Sequence, residues 1–191
     1  MLKQISSICY VYVKKKAGTE INKNLLDNIH IILYNGITKE ERNKMIKKIW
    51  FDMDGTIADL YGVTNWLDML INNDETPYMI AKPMINTEAL SAILNELKDK
   101  GYEVGIISWL SKNSTKEYDI KVTEAKKHWL KEHLPLVRWN EIKIVPYGIN
   151  KKETCKEGIL FDDEYNNRND WGIEAYEPKH IMKVLKELVT A

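Results

Sequence analysis

The chain has 191 residues, of which 44% are hydrophobic and 29% charged, and its formal net charge at pH 7 is zero. This composition is typical of a soluble globular protein with one buried core and excludes a disordered or fibrous chain. Neutrality also argues against strong affinity for polynucleotides. No apolar run is long enough to span a bilayer, and no small-residue cleavage site follows the apolar patch near the N-terminus. We therefore predict a cytoplasmic protein without a membrane partner.

The two cysteines, Cys9 and Cys155, lie far apart and lack the spacing of a metal site. Neither a disulfide framework nor a zinc site is expected. Residues 1–46 carry eight Lys or Arg against four Asp or Glu, whereas the remainder carries twenty against twenty-four. This imbalance favours reading residues 1–45 as a separate N-terminal extension. Three hypotheses apply to this extension. It packs against the core and partly covers a functional site there, it is poorly ordered, or it mediates self-association.

From Lys47 onward, short β-branched runs alternate with helical patterns. The stretch "IKKIWF" predicts a first strand, and a helical pattern follows in which five apolar residues share a face. These are Val63, Trp66, Leu67, Leu70 and Ile71. The clearest helix is capped by Asn86 and ended by Gly101. Its apolar stripe consists of Leu90, Ile93, Leu94 and Leu97.

The second half of the chain continues the alternation. "EVGIIS" predicts the second strand, and a longer polar helix spans residues 116–133 with Trp129 and Leu130 facing inward. "IKIVP", "GILFDD" and "IEAY" predict three further strands, and Pro178 opens a final helix. Its apolar positions are Ile181, Val184, Leu185 and Leu188. The pattern therefore predicts an α/β fold with a mainly parallel sheet.

Polar side chains cluster where the predicted strands end. Two acids follow the first strand, a serine the second, a lysine pair the third and two acids the fourth. These are Asp52, Asp54, Ser108, Lys151, Lys152, Asp162 and Asp163. Ligands of open parallel sheets bind outside the carboxyl ends of the strands, so these groups are predicted to share one rim.

Phosphoryl transfer through a carboxyl phosphate suits this set of groups. Crowded carboxylates repel one another, and a hard divalent cation such as Mg²⁺ relieves that repulsion. One carboxylate can attack phosphorus, and a second acid two residues away can protonate the leaving oxygen and later deprotonate water. A lysine and a hydroxyl can hold the phosphoryl oxygens.

The segments "DMDGT", "IISW", a downstream lysine and "LFDD" resemble, in order and spacing, the four motifs of the haloacid dehalogenase (HAD) superfamily. The resemblance covers residues 46–191 and implies a three-layer Rossmann-like phosphotransferase core that uses Mg²⁺. It implies that Asp52 is the nucleophile, Asp54 the acid/base and Ser108 a phosphate ligand. Asp162 and Asp163 would bind the metal with Asp52, and Asp54 would add its backbone carbonyl. For the phosphate-binding lysine, Lys151 is preferred over Lys152.

Within that superfamily the chain is similar to the pyrimidine 5'-nucleotidase (deoxyribonucleotidase) branch, through "DMDGTIADLYG", "KKHWLKEHLP" and "ILFDDE". The cap departs from that branch, because residues 59–85 have room for only one or two short helices. The resemblance implies a phosphomonoester hydrolase acting on a phosphorylated small molecule, nucleotide-like in kind.

Two alternatives to this function stay open from the sequence. A small cap also suits a macromolecular substrate, either a phosphoprotein or a polynucleotide end. The fold could instead serve as a binding or regulatory module. A calcium loop at "DMDG" is disfavoured, because Gly55 is the fourth and not the sixth position. Trp109, which follows Ser108, either stacks on a substrate ring or packs at the rim.

Overall fold

The computed structural model describes residues 47–190. The predictions for residues 1–45 lie outside the described residues, as do positions 46 and 191 of the predicted core. The described strands are β1 (Lys48–Phe51), β2 (Ala58–Asp59), β3 (Lys82–Pro83), β4 (Glu103–Trp109), β5 (Glu141–Val145), β6 (Ile159–Phe161) and β7 (Ala175–Tyr176). The described helices are α1 (Trp66–Ile71), α2 (Thr76–Ile80), α3 (Thr87–Asp99), α4 (Lys116–His133), α5 (Lys151–Cys155), α6 (Tyr165–Trp171) and α7 (Ile181–Thr190).

Helix boundaries follow local capping chemistry. The Asn86 side chain accepts a hydrogen bond from the Ala89 amide at 2.8 Å and so starts α3. Thr115 caps α4 in the same way, through the amide of Tyr118. The final helix differs from its prediction, because a 3-10 turn at Pro178–His180 precedes α7. Proline at the first position fits that turn, since it lacks the amide hydrogen that would have no partner there.

Five strands form one parallel sheet in the order β5-β4-β1-β6-β7. The predicted α/β fold with a mainly parallel sheet is confirmed. The chain first moves outward from β1 through β4 to β5, then returns to the other side of β1 for β6 and β7. The crevice where this order reverses lies beside β1, and it is the place where ligands bind in such sheets.

Alternating residues of the central strands pack on opposite faces of the sheet, which gives three layers. Ile49 and Phe51 of β1 belong to the larger core cluster, together with α3, the C-terminal part of α4 and α7. Trp50 points the other way and packs with Ile107 and Trp171. Gly105 lies beside Trp50, where a Cβ would come within 2.5 Å of the indole ring. Glycine at position 105 therefore leaves the space that the Trp50 ring occupies beside β4.

A small substructure follows β1 and precedes α3. Strands β2 and β3 pair antiparallel, and the 3-10 turn Leu60–Gly62 and helices α1 and α2 lie between them. Leu67 and Ile71, on the predicted apolar face of α1, are 52% and 68% exposed. No helix in the described part of the chain is both long and apolar enough to cross a membrane.

Candidate active site

Sheet topology brings the two acidic pairs together. β1 and β6 are neighbours, and the Asp52 amide donates to the Phe161 carbonyl at 2.9 Å, just past the paired residues. Asp52 and Asp54 after β1 therefore lie beside Asp162 and Asp163 after β6. One carboxylate oxygen from each of Asp52, Asp162 and Asp163 lies within 4.8 Å of the others.

The turn after β1 is fitted closely to Asp163. Gly55 adopts a left-handed conformation with φ of 71°, and a Cβ there would lie 2.5 Å from the Asp163 carboxylate. Glycine meets both demands, since it has no Cβ. The next residue, Thr56, is buried, and its hydroxyl accepts a hydrogen bond from the Asp163 amide at 3.1 Å. The two acidic loops are thus fixed to each other.

Lys151 joins the acids of the two strands. Its ammonium lies 2.9 Å from Oδ1 of Asp52 and 2.6 Å from Oδ2 of Asp162, and all three side chains are buried. The Asp52 Oδ1 atom nevertheless accepts no well-aligned hydrogen bond. Burial lowers the pKa of Lys151, but Asp52 and Asp162 together outweigh it and raise that pKa above its ordinary value. The two acids therefore favour the charged form of Lys151.

Lys152 points elsewhere. Its ammonium donates to the backbone carbonyl of Trp171 at 3.0 Å and lies 5.2 Å from the centre of that indole ring. Consecutive residues at the start of a helix point about 100° apart, so only one of the two lysines can face the acids. The structure brings Lys151, and not Lys152, to the acidic cluster.

Asp162 is held by groups that the sequence analysis missed. Nδ2 of Asn167 lies 3.2 Å from both of its carboxylate oxygens, and the Glu164 amide donates to Oδ1 at 2.9 Å. Arg168 donates to the backbone carbonyls of Asp162 and Asp163. Both side chains come from α6, whose first turn follows "LFDD" directly. Their closeness to this motif in the sequence could have identified these two residues as partners of its acids.

Asp54 has a different partner, a buried lysine on α4. Lys126 is 0% exposed, and its ammonium lies 2.6 Å from Oδ2 of Asp54. The sequence analysis missed this residue. Its position in the sequence could have identified it as buried, because Lys126 falls four residues from both Val122 and Leu130 on the buried face of the helix. A lysine in such a place needs buried acceptors.

Ser108 reaches the same lysine. Its hydroxyl oxygen accepts a hydrogen bond from Lys126 at 2.9 Å, and its side chain is fully buried at the end of β4. The sequence prediction brought Ser108 to the acidic rim, and the structure places it behind Asp54, linked through Lys126. Its role as a phosphate ligand stays a prediction.

The acids ionise with difficulty in this arrangement. Burial, followed by repulsion from Asp52, raises the pKa of Asp162 to about 6. Burial, with repulsion from Asp52 and Asp162, raises the pKa of Asp163 to about 7. Burial also raises the pKa of Asp54, with Lys126 opposing and Asp52 reinforcing that shift. Each shift reflects negative charge confined away from water.

The cluster fits a divalent cation. Four carboxylates face two buried ammonium groups, so full ionisation leaves two negative charges uncompensated. The buried Oδ1 atom of Asp52 lies 2.9 Å from the Lys151 ammonium but accepts no aligned hydrogen bond, so it can still offer a lone pair to a cation. Carboxylate oxygens are the donors that hard cations prefer. The residues that could hold such an ion are Asp52, Asp162 and Asp163.

A cleft of about 520 Å³ opens above these acids. Asp52, Asp54 and Asp163 line it, and most of its other lining side chains are aromatic or aliphatic. The wall residues include Tyr61, Trp66, Leu67, Leu70, Ile71, Tyr78, Trp109 and Tyr147. The exposed apolar residues of α1 thus line the cleft, which explains why they do not enter the core.

Trp109 belongs to the wall of this cleft. Its ring centre lies 4.9 Å from that of Tyr147, and its indole nitrogen donates to the Ile149 carbonyl at 2.9 Å. The ammonium of Lys151 lies 5.0 Å from the same ring. These contacts fix the ring at the rim beside the acids, where one surface of it borders the cleft.

The sequence matches no protein-family model. A curated relative, the ATP synthase subunit delta of Malacoplasma penetrans, is 40% identical over 52 residues. That match covers 27% of each protein, so the chain spans about a quarter of the curated relative's length.

Among solved structures, the chain is similar to D,D-heptose 1,7-bisphosphate phosphatase from Burkholderia thailandensis. The TM-score is 0.41 and the identity 13%, over 64% of this chain and 70% of that one. At these values the likeness does not decide the family of this chain. The geometry of the site remains the basis for assigning a function.

Proposed function

We propose that this chain is a phosphomonoester hydrolase of the HAD superfamily that depends on Mg²⁺ and works through an aspartyl-phosphate on Asp52. The observation that carries the proposal is the buried Lys151, which joins Asp52 of the β1 end to Asp162 of the β6 end. A cation fixed between a nucleophilic carboxylate and a metal-binding acid suits a phosphoryl group with charge on three oxygens.

Asp52 is the proposed nucleophile because it is the cluster acid lining the open cleft that directly contacts Lys151. Its carboxylate oxygen forms a bond to phosphorus while the bond from phosphorus to the ester oxygen breaks. Lys151, with its raised pKa, stays charged and stabilises the phosphoryl oxygens during the transfer.

Asp54 is the proposed general acid and base. Its side chain borders the cleft, and its raised pKa favours the protonated form needed to donate to the leaving oxygen. Once ionised, Asp54 takes a proton from water, whose oxygen then attacks the phosphorus of the aspartyl-phosphate. Inorganic phosphate leaves, and Asp52 returns as a carboxylate.

Asp52, Asp162 and Asp163 would hold Mg²⁺, with the backbone carbonyl of Asp54 as a further ligand. When bound, the ion would neutralise the carboxylates and offset negative charge on the phosphoryl oxygens. Asn167 and the Glu164 amide orient Asp162 for that task, as partners outside the direct ligands commonly do in metal sites.

The walls of the cleft favour a substrate whose leaving group is a flat, partly apolar ring system, as in a nucleoside monophosphate. Tyr61 and Trp66 form one edge-to-face pair, and Trp109 and Tyr147 line the cleft as a second aromatic pair. Aromatic pairs of this kind offer stacking surfaces to a planar ring. This arrangement supports the nucleotidase-like reading over a phosphoprotein or polynucleotide end.

The proposal is tested by phosphate release from a substrate panel, with Mg²⁺ and with EDTA. The panel contains p-nitrophenyl phosphate, nucleoside monophosphates, sugar phosphates, a phosphopeptide and a 3'- or 5'-phosphorylated oligonucleotide. We expect release only with Mg²⁺ and fastest from a nucleoside monophosphate. Preference for the peptide or oligonucleotide would support the macromolecular alternative, and no release from any substrate would favour a binding module.

A further inference from the structure

Lys126 is a fully buried cation whose every hydrogen is accounted for. Its ammonium donates to Oδ2 of Asp54 at 2.6 Å, to the hydroxyl of Ser108 at 2.9 Å and to the carbonyl of Trp109 at 2.6 Å. It also lies 4.9 Å from the centre of the Tyr78 ring. A lysine has three hydrogens to donate, so none is left for a ligand.

Because Asp54, Ser108 and Trp109 already take all three of its hydrogens, Lys126 cannot also donate to a substrate in the cleft. Its side chain has no exposed surface and is absent from the cleft lining, whereas Asp54 keeps 18% of its side-chain surface exposed and borders the cleft. Any effect of Lys126 on the chemistry must therefore pass through the groups it holds.

The hydrogen bonds of Lys126 fix the directions of two neighbouring groups. Because the ammonium can only donate, Oδ2 of Asp54 is held as an acceptor, and a proton on that carboxyl belongs on Oδ1. For the same reason the Ser108 oxygen accepts, which leaves its own hydrogen to be donated elsewhere. One buried cation thereby sets the orientation of an acid and of a hydroxyl.

We infer that Lys126 is a positioning residue for the general acid: it clamps Oδ2 of Asp54 so that Oδ1 is presented to the leaving oxygen of the substrate. This inference rests on the proposed function. It gives a residue of α4 a part in the chemistry, in addition to the two acidic pairs at the ends of β1 and β6.

The alternative is that Lys126 is only a satisfied core lysine. If Lys126 has only a structural role, replacing it alters stability and changes the rate by the same factor for every substrate. A positioning role predicts a selective loss, because the leaving oxygen needs protonation only when its conjugate acid is weak. The two roles are therefore separated by substrates that differ in the leaving group and match in shape.

The experiment compares Lys126→Met with wild type on phenyl phosphate, p-nitrophenyl phosphate and 2,4-dinitrophenyl phosphate, with Mg²⁺ present. We expect kcat to fall about 100-fold or more on phenyl phosphate and less than about 10-fold on the dinitrophenyl ester. Lys127→Met is the matched control, since Lys127 is the next residue on α4, is exposed and forms an ion pair with Glu124 on the same helix. Equal losses on all three esters would overturn the inference.

A double-mutant cycle provides the second readout. Lys126→Met alone leaves Asp54 without its buried partner and could fail to fold, whereas Asp54→Asn/Lys126→Met leaves neither charge alone. If Lys126 acts through Asp54, the double variant turns over within about threefold of Asp54→Asn. A further large loss, independent of the leaving group, would contradict the positioning role. Wild type that hydrolyses none of the esters would instead refute the proposed function, and the positioning role with it.

Discussion

Lys151 is the cation that joins the two acidic pairs of the site. It contacts acids from two strands at 2.9 and 2.6 Å, in a place where an unpaired charge would be costly. Removing its cation leaves Asp52 and Asp162 facing each other without compensation. Its neighbour in sequence, Lys152, donates to a backbone carbonyl and meets neither acid.

We therefore predict that Lys151→Met lowers kcat/KM for p-nitrophenyl phosphate by at least about 100-fold, as expected when one electrostatic donor is lost from an active site. Lys152→Met is the neighbouring variant for comparison and should change kcat/KM by less than about threefold. Both variants are to be checked for folding by circular dichroism. A large loss in Lys152→Met with little in Lys151→Met would reverse the choice between the two lysines.

The site could be predicted in part because its main groups stand at strand ends. Asp52, Asp54, Asp162 and Asp163 follow apolar runs directly, so the sequence revealed them together with their common rim. The contact of Lys126 with Asp54 could not be predicted from the sequence, because the two residues lie 72 positions apart and the contact depends on how α4 packs. The choice between the two neighbouring lysines likewise depends on a helical rotation that only the structure shows.

The short helices between β2 and β3 form one wall of the cleft. Helix α1 buries none of its residues fully: Trp66 and Leu70 pack against a small core cluster and also line the cleft, whereas Leu67 and Ile71 are more than half exposed. This arrangement leaves an aromatic and aliphatic wall above the acids. Under the proposed function, this wall would contact the part of a substrate that is not phosphate.

We predict that Trp66→Ala raises KM for a nucleoside monophosphate about 2- to 12-fold with kcat little changed, the range expected for one aromatic contact. KM for a small alkyl phosphate should not change. Leu136→Ala is the control, because Leu136 is highly exposed and does not line the cleft. An equal rise in KM for both substrates would show that Trp66 supports the fold of the wall and not ring binding.

The predicted helices and strands agree with the structure where neighbouring residues determine their bounds. The bounds of α4 match the prediction, and the Asn86 cap of α3 is confirmed, since both depend on neighbouring residues. For α1 the sequence predicted a shared apolar face but not its surroundings, because helical periodicity does not say whether such a face meets the core or a cleft. The β2–β3 pair was missed because two-residue strands carry almost no sequence signal.

Metal binding and stability are linked through the raised pKa values of Asp162 and Asp163. These acids bind protons up to about pH 6 and 7 in the folded protein, whereas the unfolded chain releases them near pH 4. Between these values the folded state holds more protons, so their contribution lowers the stability of the metal-free protein as pH rises. A cation that replaces those protons should reverse the effect.

We predict that Mg²⁺ raises the melting temperature by at least about 2 °C at pH 8, the shift expected for ~1 kcal/mol in a domain of this size. At pH 5 the gain should vanish, because protons compete for the same oxygens. Asp163→Asn should reduce the gain at pH 8. An identical gain at both pH values would contradict metal binding by these acids.

At the scale of the whole molecule, the sequence did not determine the order of the strands in the sheet. Alternation of elements predicts a parallel sheet, but the return of the chain to the far side of β1 is fixed by packing, as between Trp50 and Trp171. That return makes β1 and β6 neighbours. The meeting of two acidic pairs in one site is therefore a property of the assembled sheet.

The most direct test of the central claim is phosphate release from p-nitrophenyl phosphate by wild type and by Asp52→Asn, with Mg²⁺, in proteins of matched melting behaviour. The account predicts Mg²⁺-dependent release by wild type and no release above background by Asp52→Asn, because the variant lacks the attacking carboxylate. Turnover by Asp52→Asn comparable to that of wild type would contradict catalysis through an aspartyl-phosphate on this residue.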